Sequence, residues 1–411
     1  MEALFHFVFF YPLFMAYFWM MGALLFFLRF ERGQREPPVL AEYPPVAILI
    51  PSHNEAHVIA ETIRRAAANR YPDFEIVAVN DGSTDGTGAI LDELMAEIPR
   101  LRVVHIAQNR GKAMALRAGA YLSEAELLMC IDADTLLDEQ AILWVVPHFL
   151  DGPRVGAVTG NPRILNRRTL LSRIQIGEFS AIVGMVKRSQ RDVGRIFTVS
   201  GCHVCYRSRA LHEVGYWSPE TVTEDIDISW KMQLHHWDLR FEPRALAWIA
   251  VPETLRHLWR QRLRWARGGF ESAFKYASMI KHWSNRRMWP VLVEYVVGSV
   301  WAYAWTATVV LWTCTWVLGE SWPTQLRVPT LLPQWTGVVL AVTCLLQFVI
   351  GLFLDSRYER GIIRHLYWAI WYPALYWMIS SFATVVAIPK ALYSHGRVQY
   401  ATWKSPERGA R

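Results

Sequence analysis

The sequence predicts an α/β domain of the doubly wound kind, with a mostly parallel sheet, set between apolar helical segments. Three observations predict it. Strand-like and helix-like stretches alternate through the middle of the chain. Short polar motifs recur where the strand-like stretches end, which is where such sheets bind ligands. Apolar residues gather at the two ends of a 411-residue chain that is 53% hydrophobic and only 19% charged, a balance that argues against a purely soluble protein.

Residues 4–28 are apolar and almost free of charge, long enough for a bilayer that needs roughly 20 residues. The run is too long for a signal-peptide core, starts without a basic region and lacks a small-residue cleavage site. Arg29, Arg32 and Arg35 follow it and place that side in the cytoplasm. Pro37, Pro38, Pro44 and Pro45 then make a stiff linker. Residues 46–50 read as a buried strand, 56–69 as a helix and 75–79 as a second strand running into Asn80-Asp81-Gly82-Ser83. A helix at 87–98, a strand at 101–106, a helix at 112–122 and a strand at 127–131 complete the alternation. The polar motifs at the strand ends are Ser52-His53-Asn54-Glu55, Asp81-Gly82 and Asp132-Ala133-Asp134. Residues 170–191 form an amphipathic helix with basic ends, suited either to a membrane surface or to packing in the core.

Three further apolar stretches, at 289–318, 335–354 and 366–388, are each long enough to cross a membrane. The first loop between them has little charge and reads as external; the second carries Arg357, Arg360 and Arg364 and reads as cytoplasmic. Three crossings would leave Lys390, Arg397, Lys404, Arg408 and Arg411 outside, against the positive-inside tendency. Either the rule fails here, or one stretch is re-entrant or interfacial, with Pro373 marking the last and Glu294 the first as the candidates. The divisions are 1–28, a transmembrane helix; 29–45, a linker; 46–254, the α/β domain; 255–287, interfacial helices; 288–390, a membrane region; and 391–411, a basic tail.

The net charge of +7 sits beside the apolar segments and reads first as topology signals and contacts with anionic lipids, with a nucleic-acid surface as the lesser alternative. Many of the 20 Trp lie at the edges of apolar runs, as in an interfacial belt. Five cysteines imply no disulfide framework, and Cys202 and Cys205, though spaced CxxC, lack the second pair a zinc site needs.

The chemistry concentrates in four places. Asp132 and Asp134 can converge on one hard cation that also takes diphosphate oxygens, the ordinary alternative being an exposed turn. Asp81 can accept hydrogen bonds from a nucleobase or ribose, or simply make an Asp-Gly turn. Lys112, at a helix start, is either a diphosphate contact or a solvated lysine. No Walker A or GxGxxG pattern is present, which removes support for ATP hydrolysis and dinucleotide chemistry. In Thr223-Glu224-Asp225, Asp225 is placed to take a proton from an attacking hydroxyl. Glu224, Asp225 and Asp227 should titrate together, and the same residues also suit a helix start capped by Thr223. Gln261, Arg264 and Trp265 share a helix face, Arg264 suited to phosphate and Trp265 to an apolar sugar face or an interfacial anchor.

Asp81, Asp132-Ala133-Asp134, Thr223-Glu224-Asp225 and Gln261-Arg262-Leu263-Arg264-Trp265 appear in an order and spacing that resembles the processive family 2 membrane glycosyltransferases, which include cellulose, chitin and hyaluronan synthases. The joint set is far more specific than any member, and the resemblance spans nearly the whole chain. Val158-Thr159-Gly160-Asn161-Pro162-Arg163, Phe197-Thr198-Val199-Ser200-Gly201, Gly215-Tyr216-Trp217-Ser218 and Thr223-Glu224-Asp225-Ile226-Asp227-Ile228-Ser229-Trp230 look closest to the bacterial branch that makes poly-β-1,6-N-acetylglucosamine.

The resemblance implies a GT-A catalytic domain on the cytoplasmic face of a bacterial inner membrane. It also implies UDP-N-acetylglucosamine as donor, a divalent cation (Mg2+ or Mn2+), inversion at the anomeric carbon, and export of the growing glycan, a biofilm exopolysaccharide. Carried over residue by residue, it puts Asn54, Glu55, Asp81 and Lys112 on the donor nucleotide and Asp132 and Asp134 on diphosphate and metal. Asp225 becomes the base, Glu224, Gln261, Arg264 and Trp265 hold acceptor and diphosphate, and Ser200 and Gly201 flank the acceptor terminus. Related synthases work with a small two-helix membrane subunit, through which cyclic di-GMP can act. The chain departs from its relatives in three ways. It has no cyclic-di-GMP-binding domain of the cellulose-synthase kind, one clear crossing before the catalytic domain where some relatives have two, and Cys202-His203-Val204-Cys205 where the family tends to be apolar. The competing readings are a single-addition transferase acting on a lipid phosphate, which leaves the 261–265 motif unexplained, and a non-catalytic membrane scaffold, which the intact acids oppose.

Overall fold

The computed structural model describes residues 1–328, 330, 331, 334–369, 372 and 377–394. Its centre is an eight-stranded sheet in the order β3-β2-β1-β4-β7-β6-β8-β5. β1 (Val46–Ser52), β2 (Phe74–Asp81), β3 (Leu101–Ile106) and β4 (Leu127–Ile131) are the parallel half, with Ile48 level with Ile76 on one side and Met129 on the other. Successive side chains of a strand point to opposite faces. Val46, Ile48 and Ile50 therefore pack with Ile59, Ile63, Leu91 and Leu94, from α2 (Ile59–Ala67) and α3 (Thr87–Glu97). Ala47 and Leu49 pack the other way, with Ala115 and Leu116 of α4 (Lys112–Leu122). Burial on both faces is why these strands read as unbroken apolar runs. The helix expected at 56–69 starts only at Ile59, because the chain first turns through Asn54 at φ +56°.

The other half of the sheet is mixed. β5 (Leu136–Leu137) and α5 (Ala141–Leu150) lead into β6 (Val155–Ile164). β7 (His203–Arg207) runs antiparallel to both β4 and β6, and β8 (Asp238–Ile249) runs parallel to β6. The antiparallel β7 brings the turn at Ser200-Gly201 to the same edge as the end of β4. Cys205 is buried under β4, and among the described residues no group of three or more His, Cys, Asp or Glu is arranged to hold a metal.

Among the described residues, three helices are long and apolar enough to cross a membrane: Glu2–Glu31, Trp283–Ser321 and Trp335–Asp355. The first is α1 (Glu2–Phe26) continued by a π-helical turn at Phe27–Glu31. The region expected to be amphipathic, 170–191, is α6 (Leu170–Glu178) and α7 (Met185–Val193) joined by a π-helical turn, Phe179–Gly184. It lies in the core and not on a surface: Ile174, Phe179, Ala181, Met185, Lys187 and Arg188 are all buried. After β7 come α8 (Ser208–Val214) and α9 (Glu224–Leu234), then α10 (Leu255–Ile280), α11 (Trp289–Leu318), α12 (Gln334–Asp355), the short α13 (Leu366–Ala369) and α14 (Trp377–Ser394). Glu294 lies within an unbroken α11, its carboxylate accepting from Gln190 at 3.2 Å. Pro373 and the basic tail from Arg397 onward lie outside the described residues.

A buried ionic cluster joins the sheet to the membrane helices. Arg188 of α7 reaches Glu31 at 2.7 Å and Asp355 at 2.8 Å. Arg163 of β6 reaches Asp355 at 2.5 Å and Glu359 at 3.1 Å, and Arg167 also pairs with Glu359. Three arginines thus face three carboxylates, and the Tyr358 hydroxyl donates to Glu31. Buried charges persist only when matched in this way.

Candidate active site

One end of the site is built from loops at the ends of β1 and β2. Asn54 and Glu55 tie the first loop to the second. The Asn54 side-chain oxygen accepts from Thr84 N–H at 2.8 Å, and the Glu55 N–H donates to the Thr87 hydroxyl at 2.9 Å. Asp81 is fully buried, its two oxygens accepting from the N–H groups of Arg110 and Gly111 at 2.9 and 2.8 Å. Burial pushes its carboxyl up, against the pull of those two amides. Gly82, at φ +62°, leaves no room for a side chain: a Cβ there would stand 2.5 Å from Asn109 N. The loop before α4 therefore closes tightly over Asp81, and this sets where Lys112 begins.

Lys112 is at the centre of the site and is not solvated. Its ammonium lies 2.6 Å from Asp132, 2.7 Å from Glu224 and 3.2 Å from the Gly201 carbonyl, so each of its three N–H groups has an acceptor. Burial works to lower its pKa, but Asp132 and Glu224 hold it well above the ordinary lysine value. One side chain thus draws together the strand end of β4, the start of α9 and the turn at Ser200-Gly201. Asp134, two residues past Asp132, is buried.

Asp225 is the next residue on α9. One of its oxygens accepts from Gly201 N–H at 3.3 Å, the other from its own helix at Ile226 N–H, 2.9 Å. Burial and the neighbouring Glu224 push its carboxyl up to about 6, while Lys112 and Arg264 oppose the rise. Glu224, in contact with Lys112, is shifted down despite its burial. Two adjacent carboxyls are thereby split in acidity, and Asp225 becomes the better proton acceptor of the two.

One expectation is corrected here. Thr223 holds the N-cap position of α9 but makes no side-chain cap bond; its hydroxyl faces Gly268 of α10 instead. Asp227 is engaged from α10, by Lys275 at 2.8 Å and by the Tyr276 hydroxyl at 2.9 Å. A Cβ at position 268 would come within 1.8 Å of the Thr223 oxygen, so α10 lies directly against the start of α9. That contact sets α10, with Arg264 one turn earlier, beside the same acids, and Gln261 and Trp265 lie on the same stretch of helix. Arg264 is exposed and its charge acts on both Glu224 and Asp225. The Gln261 side-chain oxygen is buried without a hydrogen-bond partner. Trp265 is partly buried among Ile164, Ile176, Phe179 and Leu352, with the Arg262 guanidinium 4.3 Å over its ring. Arg262 is in turn tied to Glu178 at 2.7 Å.

Residues not anticipated as part of the site are Lys187, Gly268, Lys275 and Tyr276. Lys187 read as one of the basic ends of an amphipathic helix, yet it is buried and donates to the Ser200 hydroxyl. The other three lie on the continuation of the helix that bears Trp265, Gly268 three residues after it and Lys275 two turns after Gly268, and this helical period was the available signal.

Residues 44–268 match the model of a family described as glycosyltransferase-like family 2. The chain belongs to that family. Among curated members, it is 36% identical over 411 residues to a poly-β-1,6-N-acetyl-D-glucosamine synthase of Staphylococcus epidermidis, an alignment covering 99% of this chain and 98% of the relative. It is 35% identical over 409 residues to a protein of the same name from Staphylococcus aureus strain COL, with 98% of each chain covered. Among solved structures, a mannosyltransferase of Pyrobaculum calidifontis in complex with GDP-Man and Mn2+ aligns with a TM-score of 0.68 at 20% identity, covering 96% of this chain and 98% of that one. This family 2 glycosyltransferase therefore has the GT-A fold, and its three candidate membrane spans make it membrane-associated.

Proposed function

We propose that this family 2 glycosyltransferase is a processive, inverting polymerase. It adds N-acetylglucosamine from UDP-N-acetylglucosamine to a β-1,6-linked chain and passes that chain across the bacterial inner membrane. The geometric observation that carries the reading is the Lys112 junction, which ties Asp132, Glu224 and Gly201 together one residue away from Asp225. The naming of the Staphylococcus relatives over almost the entire chain supports the choice of donor and linkage.

In this reading the 6-hydroxyl of the acceptor sugar lies between Asp225 and the Ser200-Gly201 turn. Asp225 removes its proton as the oxygen attacks the anomeric carbon from the side opposite the leaving group. The bond from that carbon to the diphosphate breaks, UDP departs and the configuration inverts. Lys112 and Arg264 offset the charge that gathers on the diphosphate, and Asn54, Glu55 and Asp81 shape the nucleotide end. Asp132 and Asp134 supply two hard oxygen donors, a set that fits a cation completing its coordination from phosphate and water. When bound, a divalent cation there would neutralise the leaving diphosphate. Gln261 and Trp265 border the acceptor. Arg29, Arg32 and Arg35, following α1, support a catalytic domain on the cytoplasmic side. The reading extends to a small two-helix membrane subunit, with cyclic di-GMP acting through the pair. The exposed aromatic row of α1 (Phe10, Phe14, Tyr17, Phe18) is the face available to it.

The test is turnover in purified membranes with UDP-N-acetylglucosamine and UDP-glucose compared. Long product from the first donor alone, degraded by a β-1,6-N-acetylglucosaminidase, is the expected result. Product from UDP-glucose alone would overturn the donor, and single-sugar products would overturn processivity. A separate expectation concerns the acids after β4: Asp134→Ala should weaken metal-dependent donor binding by about 10- to 100-fold, or ~1.4–2.8 kcal/mol. Donor titrations with and without Mg2+ check it, and unchanged affinity would remove Asp134 from the cation site.

A further inference from the structure

The turn at Ser200-Gly201 is gripped from two sides by lysines that differ in one respect. Lys112 has an acceptor for each of its N–H groups. Lys187, on the opposite side of the turn, donates to the Ser200 hydroxyl and forms no ion pair with any described carboxylate. An ammonium has three N–H donors. Lys187 is only 6% exposed, so two donors of a buried cation are left without an acceptor among the described residues. Leaving a buried charge unmatched is expensive by several kcal/mol, which makes such a group a strong claimant for any oxygen a ligand brings.

The surroundings say which ligand that is. Asp225 and Cys202 are near enough to Lys187 to act on its charge. Asp225 itself accepts from the Gly201 N–H. Lys187 therefore lies beside the base and the Ser200 hydroxyl, the groups that this reading puts on the acceptor. Its position is rigid: Gln190, one turn further along α7, accepts from the Phe197 N–H at 3.0 Å and donates to Glu294 at 3.2 Å. This pins the 197–201 segment to the helix that carries Lys187. Burial lowers the ammonium only to about 8, so it remains mostly charged near neutral pH.

We propose that Lys187 determines acceptor specificity, donating its remaining N–H groups to the acetamido carbonyl of the terminal sugar and refusing a terminus whose amine is free and protonated. The inference rests on the reading of Asp225 as base and of an N-acetylglucosamine-ended chain as acceptor. A carbonyl oxygen supplies what Lys187 lacks. A glucosammonium end instead brings a second cation and three more donors, so it is rejected both by charge and by hydrogen bonding.

The experiment uses full-length protein in membranes, radiolabelled UDP-N-acetylglucosamine and short β-1,6 oligosaccharides ending in N-acetylglucosamine, glucosamine or glucose. Wild type should extend the acetylated end at least about 100-fold better than the glucosamine end, and should extend the neutral glucose end better than the glucosamine end. Lys187→Met and Lys187→Gln should narrow the acetylated-to-glucosamine ratio by about tenfold or more, with UDP-N-acetylglucosamine affinity within about twofold of wild type. Lys187→Arg should keep the glucosamine end excluded. The proposal is overturned if both uncharged variants keep the wild-type ratio. It is also overturned if wild type treats glucosamine and glucose ends alike, a result that needs no variant to fold. Failure of wild type to transfer N-acetylglucosamine to any of the three ends would instead bring down the underlying reading, and the inference with it.

Discussion

Asp225→Asn is expected to lower polymer synthesis by about 100- to 10,000-fold, the range of a general base, with donor affinity held within about twofold. The amide keeps the size of the carboxylate and can still accept from Gly201 N–H, so the turn and the Lys112 junction stay in place. What it loses is the capacity to take a proton. The pH dependence follows from the upward shift of this carboxyl to about 6. Below that value Asp225 is protonated and cannot act as base, so turnover should rise with pH through about 6 and level off above it. Radiolabel incorporation from UDP-N-acetylglucosamine between pH 5 and pH 8 reads the limb, and the asparagine variant should lack it. A variant with near-normal yield and the same acidic limb would show that another group takes the proton.

The second large effect is on stability. Asp355→Asn leaves Arg163 and Arg188, both fully buried, without the carboxylate they share. Removing one partner of a buried ion pair typically costs about 3–5 kcal/mol, because the remaining charge cannot return to water. Against a total stability of about 5–15 kcal/mol, that is a large fraction. Thermal unfolding in detergent should show a clear fall in melting temperature, while Glu320→Gln, exposed at the end of the Trp283–Ser321 helix, should show none. An Asp355→Asn protein that melts with the wild type would mean the arginines find other partners.

The parallel half of the sheet was legible because its strands are buried on both faces and its helices alternate with them. The other half was not read as strands. β6 contains Pro162 and Arg163, β8 contains Pro243, and β7 begins with His203, so none presents a plain apolar run. The acids near the site were found because each follows a strand or opens a helix, positions visible in one dimension. Their partners were not. Lys112 meets Gly201 across 89 positions and Arg188 meets Asp355 across 167, distances that no local pattern encodes. The 170–191 helix was left open between surface and core for the same reason, since its basic residues become core residues only once those distant carboxylates arrive. Thr223 looked like a cap, but the close pass of α10 at Gly268 decides where its hydroxyl goes.

The ionic cluster also has a temporal meaning. Arg163 and Arg188 leave the ribosome long before Asp355, which is 192 positions after the first of them. Until α12 is made and seated, both arginines lack their shared counter-charge, and β6 and α7 cannot settle into their final places. α7 carries Lys187 and, through Gln190, steadies the segment that ends at Ser200-Gly201. A nascent chain still short of its later membrane helices is therefore an unassembled catalyst.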